Sequence, residues 1–561
     1  MAYIIGHNIL SPLGSTSVDN YKAVKEGHSS LSACSTGSRG VPEGFCASLF
    51  SEAQNNDIAV SGLTLFESSI VVSAEKAIID SGISVSDGKT VLIISTTKGN
   101  TDLVSPADSA KRIAKKLNIP TEPIVVCNAC ISGLAAVILG KRLIEAGSFD
   151  YAVVCGADRQ GKFIISGFQS LKALSPEECR PFDIERLGLN LGEAAATVVM
   201  SREKHDEDDW NIVSGAIRND AYHVSAPSRK GEGLYRALNY IVADKSKERL
   251  AFVNAHGTAT MFNDQMESVA LQRMGYTDIP VNALKGYFGH TMGAAGILEL
   301  VLSMLAANDG YVIGTRGFEE LGVSGNIMVS ANGCHTDKRD FIKMLSGFGG
   351  CNAAVWVSKD MTDDVAGYKT KFCCKHSVKI TPDSVSVDGK DIEKEGNGKT
   401  LLTNIYKTRI GGYAKFYKMD GLSRLGFIAS ELLLQTEDVE RFKEREDRAT
   451  VLFNHSSSVD SDRKYMESIV DAENYFPSPS VFVYTLPNIV TGEIAMRNKY
   501  YGETSFYILP DKNEKLMHSI LQTAFSDKKT TSIVCGWIDY IDDGNFVADI
   551  GIYEKEDNKT L

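Results

Sequence analysis

The sequence predicts an α/β protein of two or three folded units. Short apolar runs, TVLIIS, PIVVCNA, YAVVCGAD and AATVVMS, alternate with longer helical patterns such as VSPADSAKRIAKKLN up to about Lys359. Strands that are apolar on both faces belong in sheets covered on both sides. At 561 residues the chain exceeds one ordinary domain, and 43% hydrophobic content with 8% aromatics fills several cores. After AAVWVSKD the texture turns polar and charged, which puts a boundary near residue 362 and a hairpin around Asp388-Gly389.

The totals exclude several function classes. Lys+Arg of 59 against Asp+Glu of 71 leaves a net charge of −12, with no basic stripe interleaved with aromatics, so nucleic acid is not an expected partner. Eleven irregularly spaced cysteines in so long a chain read as reduced thiols, not a disulfide framework. MAYIIGHNILSPLG lacks a basic n-region, and no apolar run approaches a membrane span. These features predict a soluble, cytoplasmic protein.

Beyond the boundary the chain repeats itself. TVLIISTTKGNTD at Thr90 lies over TVLFNHSSSVDSD at Thr450, Gly62 over Gly421, and CISG at Cys130 over IVTG at Ile489. VCG at Val154 reappears at Val534 after about twenty inserted residues. Several matches in one order predict a degenerate duplication over residues 400–561, with strands at TVLFN, VFVYTLP, SIVCGWID and VADIGIYE, and with Ile489 where the first copy has Cys130.

VVCNACISGLAAVILG places Cys127 and Cys130 where a strand runs into a helix. A strand ending at Ala129 and a helix starting near Ile131 would set Cys130 at a helix N-terminus, which favours thiolate. Cys127 reads as a packed small hydrophobe. A zinc ribbon needs a second CxxC, which is absent, and no thioredoxin-like cis-proline pattern follows. His256 in VNAHGTATMFND and His290 in VNALKGYFGHTMGAAGILE each follow a VNA strand end among small residues, and SGFGGCNAA at Ser346 offers backbone N–H groups that can stabilise an oxyanion.

NACISG, CRPFD with LGEAAA, NAHGTAT followed by Glu267, LKGYFGHTMGAAG and GFGG stand in the order of the β-ketoacyl-acyl-carrier-protein synthases, and residues 3–358 resemble that family. The resemblance implies a thiolase-like α-β-α-β-α layered fold with duplicated βαβαβαββ halves at 1–200 and 201–361. A linker and hairpin at 362–399 would then lead to a further degenerate half at 400–561. It implies decarboxylating condensation of an acyl thioester on Cys130 with malonyl-acyl-carrier protein, with His256 and His290 holding the enolate and Lys285 paired with Glu299. Thr258 and Thr260 match positions that bind the phosphopantetheine arm, and Phe348 and Gly349 match the gate of the acyl pocket. No metal is implied, and no cofactor beyond the phosphopantetheine carried by the acyl-carrier-protein substrate.

GEAAA and GFGGCN depart from the usual GEGAG and GFGGTN, and the domain is shorter than in most relatives. A biosynthetic thiolase would need a second cysteine as base, and only Cys351 stands near GFGG, at the family's threonine. The alternative of a non-catalytic, chain-length-factor-like partner or scaffold leaves Cys130, His256, His290 and Lys285 without a purpose. Because the family dimerises through sheet edges of its N-terminal halves, the C-terminal copy is expected to dock on the same chain as a pseudo-partner; the alternative is a homodimer formed elsewhere, with the copy only decorating the surface.

Overall fold

The computed structural model describes residues 1–100, 105–243, 245–361, 370–471 and 473–556. In the first half, β1 (Tyr3–Leu10), β2 (Thr90–Ser95), β3 (Ile124–Val126), β4 (Tyr151–Asp158) and β5 (Ala194–Ser201) stand in the order β1-β5-β4-β2-β3. β2 is parallel to β3 and β4, while β5 is antiparallel to β1 and β4. Every residue of β2 is buried. Val91 and Ile93 pack with helix α2 (Ser132–Glu145), whereas Leu92 and Ile94 pack with α1 (Leu65–Ser81), which explains a strand apolar on both faces. Helix α3 (Lys162–Ser170) follows β4.

The second half repeats this arrangement with β6 (Trp210–Asn219), β7 (Leu250–Asn254), β8 (Pro280–Asn282), β9 (Met328–Val329), β10 (Asp340–Gly347) and β11 (Cys351–Ser358). Their order is β6-β11-β10-β7-β8-β9, with the same senses at the five equivalent positions. Helix α4 (Met261–Arg273) follows β7, and α5 (Ala295–Asn308) packs on α2 in the layer between the two sheets.

The C-terminal residues make the same five-stranded pattern a third time. β12 (Phe372–Thr381) leads through β13 (Ser384–Val387) and β14 (Lys390–Asp391) to α6 (Gly421–Leu434) and β15 (Arg448–Asn454). Then come α7 (Val459–Val470), α8 (Pro479–Tyr484), α9 (Ile489–Asn498), β16 (Thr504–Ile508), α10 (Glu514–Ala524), β17 (Ser532–Asp542) and β18 (Asn545–Lys555). The order β12-β18-β17-β15-β16 reproduces β1-β5-β4-β2-β3, sense for sense. β16 pairs antiparallel with β3, Tyr507 opposite Val126 and Ile508 opposite Val125, so the two sheets run on as one. The C-terminal unit therefore docks on the first half of its own chain and covers its edge strand.

Three sequence-based expectations need correction. VFVYTLP is not a strand: Ser478 accepts the Val481 N–H and Pro479 occupies the first turn of α8, so helix-start chemistry overrides β-branched propensity. The segment 362–399 is not a linker throughout, because β12 within it is a full ladder partner of β18. The boundary near residue 362 lies outside the described residues, and the hairpin forms as expected, with Asp388 and Gly389 at φ of 49° and 72°. Ile489 is not the counterpart of Cys130. With Thr90 over Thr450, the parallel ladders put Ile124 over Tyr507 and Tyr151 over Val534, so Cys130 falls on Asn513 at the start of α10. The inserted residues lie before β16, in α7 to α9.

Buried ion pairs stitch the C-terminal unit to both halves: Arg142–Glu503 at 2.7 Å, Arg218–Asp527 at 2.6 Å and Lys98–Asp462 at 2.5 Å. Opposite charges this deeply desolvated are costly to separate, since removing one partner leaves an uncompensated charge, at about 3–5 kcal/mol. Among the described residues, no helix is long and apolar enough to cross a membrane.

Candidate active site

The nucleophile turn begins where β3 stops at Val126, three residues before the expected end of the strand. Ala129 takes a left-handed φ of 48°, Ala129–Ile131 form one 3-10 turn, and α2 starts at Ser132. Cys127 is buried and its thiol donates to the Thr97 carbonyl at 3.4 Å, a packed bystander. Cys130 is half-buried. Burial pushes its thiol up to about 12, against the pull of Lys285 and of the Cys130 and Phe348 N–H groups, both aimed at the sulfur. Desolvation thus works against the helix terminus, which favours the thiolate.

Glycines bring the second half close enough to complete the site. A Cβ on Gly133 of α2 would lie 2.8 Å from the Gly293 carbonyl, and one on Gly296 would lie 2.4 Å from the Leu134 nitrogen. The ends of α2 and α5 can touch only because these positions lack side chains.

His256 follows β7. Its backbone N–H and that of Gly257 donate to the two oxygens of Glu267 on α4, at 2.7 and 2.8 Å. The His290 backbone is held by the Asn190 carbonyl at 2.6 Å. His290 Nδ1 accepts the Met292 N–H at 3.2 Å, which leaves the ring hydrogen on Nε2, buried and without a protein partner. His256 Nδ1 is likewise buried and unpartnered. Ligand atoms of Cys130, His256 and His290 all lie within 4.8 Å of one another, and the two rings meet edge to face at 5.0 Å. Burial, then the nearby Lys285, holds both imidazoles well below the usual histidine range, so both are neutral at pH 7.

Behind them sits a buried Lys–Glu–Lys set. Lys285 Nζ donates to Glu299 at 2.7 Å and to the His256 carbonyl at 2.6 Å. Lys343 reaches the other Glu299 oxygen at 2.6 Å and the Ala255 carbonyl at 3.1 Å. Burial pushes the Glu299 carboxyl up, but the two ammonium groups win and hold it below its ordinary value. Lys343 was not anticipated from the sequence; the signal available was a lone lysine in the otherwise apolar strand FIKML.

Thr258 and Thr260 share a hydroxyl–hydroxyl bond of 2.8 Å beside the His256 turn. Phe348 is half-buried, stacked on Phe168 at 6.4 Å, and Gly349 is buried with φ of 88°. Cys130, Phe168 and Phe348 line a small apolar pocket with Phe482, Thr485 and Leu486 of the C-terminal unit, leaving about 10 Å³ of free space. Phe482 packs edge-on against Phe168 at 5.5 Å, in contact with Gly167. No linear pattern announced that the inserted helices reach this pocket. Cys351 is buried, and its thiol donates to the Phe348 and Asn128 carbonyls at 3.2 and 3.5 Å, while burial pushes its pKa well up.

Comparison with known proteins matches residues 70–206 to the beta-ketoacyl synthase N-terminal domain and 211–319 to the beta-ketoacyl synthase C-terminal domain. The chain is 31% identical over 274 residues to a 3-oxoacyl-(acyl-carrier-protein) synthase 2 of Rhizobium meliloti, covering 45% of this chain and 64% of that protein. It is 30% identical over 277 residues to the tetracenomycin polyketide synthase ketoacyl synthase alpha subunit of Streptomyces glaucescens, covering 46% and 65%. The chain thus spans just under two thirds of these two curated relatives. At 28% identity it aligns with 97% of a Vibrio cholerae synthase of the first kind, using 63% of its own length. Among solved structures, the PfaC keto synthase-chain length factor matches 100% of this chain over 79% of its own, with a TM-score of 0.76 at 13% identity. That similarity extends the shared fold to the C-terminal unit.

Proposed function

We propose that this chain, whose residues 70–206 and 211–319 match the two beta-ketoacyl synthase domains, condenses an acyl group on Cys130 with a malonyl thioester, releasing carbon dioxide and a 3-ketoacyl product two carbons longer. The observation that carries this is the convergence of the Cys130 sulfur, two neutral imidazoles and two backbone N–H groups on one point.

The acyl donor is a thioester on acyl-carrier protein, whose phosphopantetheine arm passes Thr258 and Thr260. Cys130 sulfur attacks the acyl carbonyl, the N–H groups of Cys130 and Phe348 hold the oxyanion, and the carrier thiolate leaves with the proton from Cys130. The malonyl thioester then loses carbon dioxide. The electron pair of the broken bond becomes an enolate, held by His290 Nε2–H and by His256. Neutral imidazoles suit this role because they donate a hydrogen bond without carrying a charge that would stabilise the substrate carboxylate. The enolate carbon attacks the acyl carbonyl and expels Cys130 as the thiolate, which takes up a proton from water to restore the thiol. No metal or bound cofactor enters any step, and the reaction belongs to fatty acid or polyketide-type synthesis in a cytoplasm.

Purified protein given malonyl-acyl-carrier protein and a range of acyl-carrier proteins should yield 3-ketoacyl-acyl-carrier protein, and Cys130→Ala should yield none. Absence of product and of acyl-enzyme with every donor would leave the chain a non-catalytic partner of another synthase.

A further inference from the structure

The Phe348 gate is held from a side that the two synthase halves do not supply. Asn488, 2% exposed at the start of α9 in the C-terminal unit, donates its side-chain amide to the Phe348 carbonyl at 2.9 Å. The same amide lies 3.8 Å from the Cys351 sulfur. Contact here is close enough to exclude a methyl group: a Cβ on Gly349 would lie 2.7 Å from the Asn488 amide nitrogen, and one on Gly492 would lie 2.5 Å from the Gly349 carbonyl oxygen. From the other side Asn219 donates to the Gly349 carbonyl at 2.8 Å and also to Thr504 Oγ1 of the C-terminal unit at 3.0 Å.

The nucleophile turn is gripped in the same way. Asn128, two residues before Cys130, donates to the Thr504 carbonyl at 3.2 Å and accepts the Phe506 N–H at 2.7 Å. Both backbone donors of the oxyanion site, those of Cys130 and Phe348, therefore belong to segments hydrogen-bonded to the C-terminal unit.

We propose that Asn488 is a positioning residue for acyl transfer: supplied by the C-terminal unit, it fixes the Phe348 backbone so that the Phe348 N–H stays aimed at the oxyanion formed at Cys130. This rests on the condensation reading above. In the step concerned, a bond forms between Cys130 sulfur and the acyl carbon, the donor's carbon–sulfur bond breaks, and the proton leaves with the donor thiol. Asn488 touches none of these atoms and acts through Phe348.

The test compares two reactions of the same sulfur. Transfer from a hexanoyl-pantetheine thioester passes through an oxyanion, whereas alkylation by iodoacetamide does not. Removing an oxyanion donor outright costs roughly 10²–10³ in rate, so loosening one predicts that Asn488→Ala slows hexanoyl transfer about tenfold or more. Alkylation should stay within about twofold, with the loss in the maximal rate and not in KM. Asn488→Asp, which keeps the shape and loses the donor, should behave alike. If either variant melts early, Gly492→Ala displaces the Gly349 carbonyl with Asn488 intact and should give the same split. Equal losses in both reactions, or a loss in neither, overturn the inference. A wild-type chain that takes no acyl group from any thioester overturns the condensation reading together with it, whereas wild type and variants loading equally fast sink this inference alone.

Discussion

The first half and the C-terminal unit are two versions of one five-stranded design, and they differ where chemistry would occur. In the first half the turn after β3 carries Cys130 and faces the imidazoles of the second half. In the C-terminal unit the equivalent turn after β16 carries Asn513, whose side chain caps α10 and reaches back to Glu122 across the junction. What the copy keeps is the edge strand that pairs with β3, and with it come buried ion pairs and the inserted helices α8 and α9, which together reach both halves. The copy has kept the surface a partner needs and lost the residues an enzyme needs.

The sharpest way to break this comparison is to substitute the two equivalent positions. Cys130→Ala should remove acyl transfer by roughly a thousandfold or more, while Asn513→Ala should lose about 1 kcal/mol of cap stability and leave acyl transfer within about twofold. A large catalytic loss at Asn513, read by the rate of acyl-enzyme formation, would mean that the copy has an unrecognised chemical role.

The junction comes next. Arg218→Met leaves Asp527 buried and unpaired, with an expected cost of about 3–5 kcal/mol in urea unfolding. Pairing it with Asp527→Leu should recover much of that loss. A cost below about 1 kcal/mol would show that this ion pair contributes little to holding the C-terminal unit in place. Phe482→Ala is expected to cost about 3 kcal/mol and to shift acyl loading on Cys130 toward longer chains, because it empties the wall that the C-terminal unit contributes to the pocket. An unchanged preference across a ladder of acyl donors would place the chain-length limit in the two synthase halves.

The smallest effect is one of pH. Both imidazoles are buried with their pKa values lowered, so below about 6.5 the unfolded chain binds protons that the folded chain does not. Stability should therefore fall as pH drops from 7 toward 5, by up to about 1.4 kcal/mol per pH unit for each histidine. Thermal melting should show a shallower decline in His256→Gln than in wild type, and identical slopes would mean that the rings titrate normally.

Legibility in the sequence followed the range of the interactions. Covered strands could be read from unbroken apolar runs, and the site from residue types that short motifs keep adjacent, as in NACISG and GHTMGAAG. The third copy was detectable because β2 and β15 share TVL and a polar turn. Its internal alignment failed at Ile489, since a four-residue likeness was weighed without the ladder registers that decide equivalence. The strand expected at VFVYTLP failed because Ser478 and Pro479, the helix-start signal, lie just ahead of the apolar run. Lys343, Phe482 and Asn488 owe their roles to neighbours far away in sequence, and no linear window contains those neighbours. The upward pull of burial on the Cys130 thiol was hidden for the same reason, because desolvation belongs to the assembled site and not to the helix terminus.

The central claim is that one chain supplies both the acylating cysteine and its own partner surface. Native mass spectrometry after incubation with an acyl-carrier-protein donor tests it directly. The account predicts a monomer carrying one acyl group per chain, absent in Cys130→Ala, because β3 already has β16 as its second neighbour. A dimer joined through the synthase halves, or a chain that stays unacylated with every donor, would contradict it.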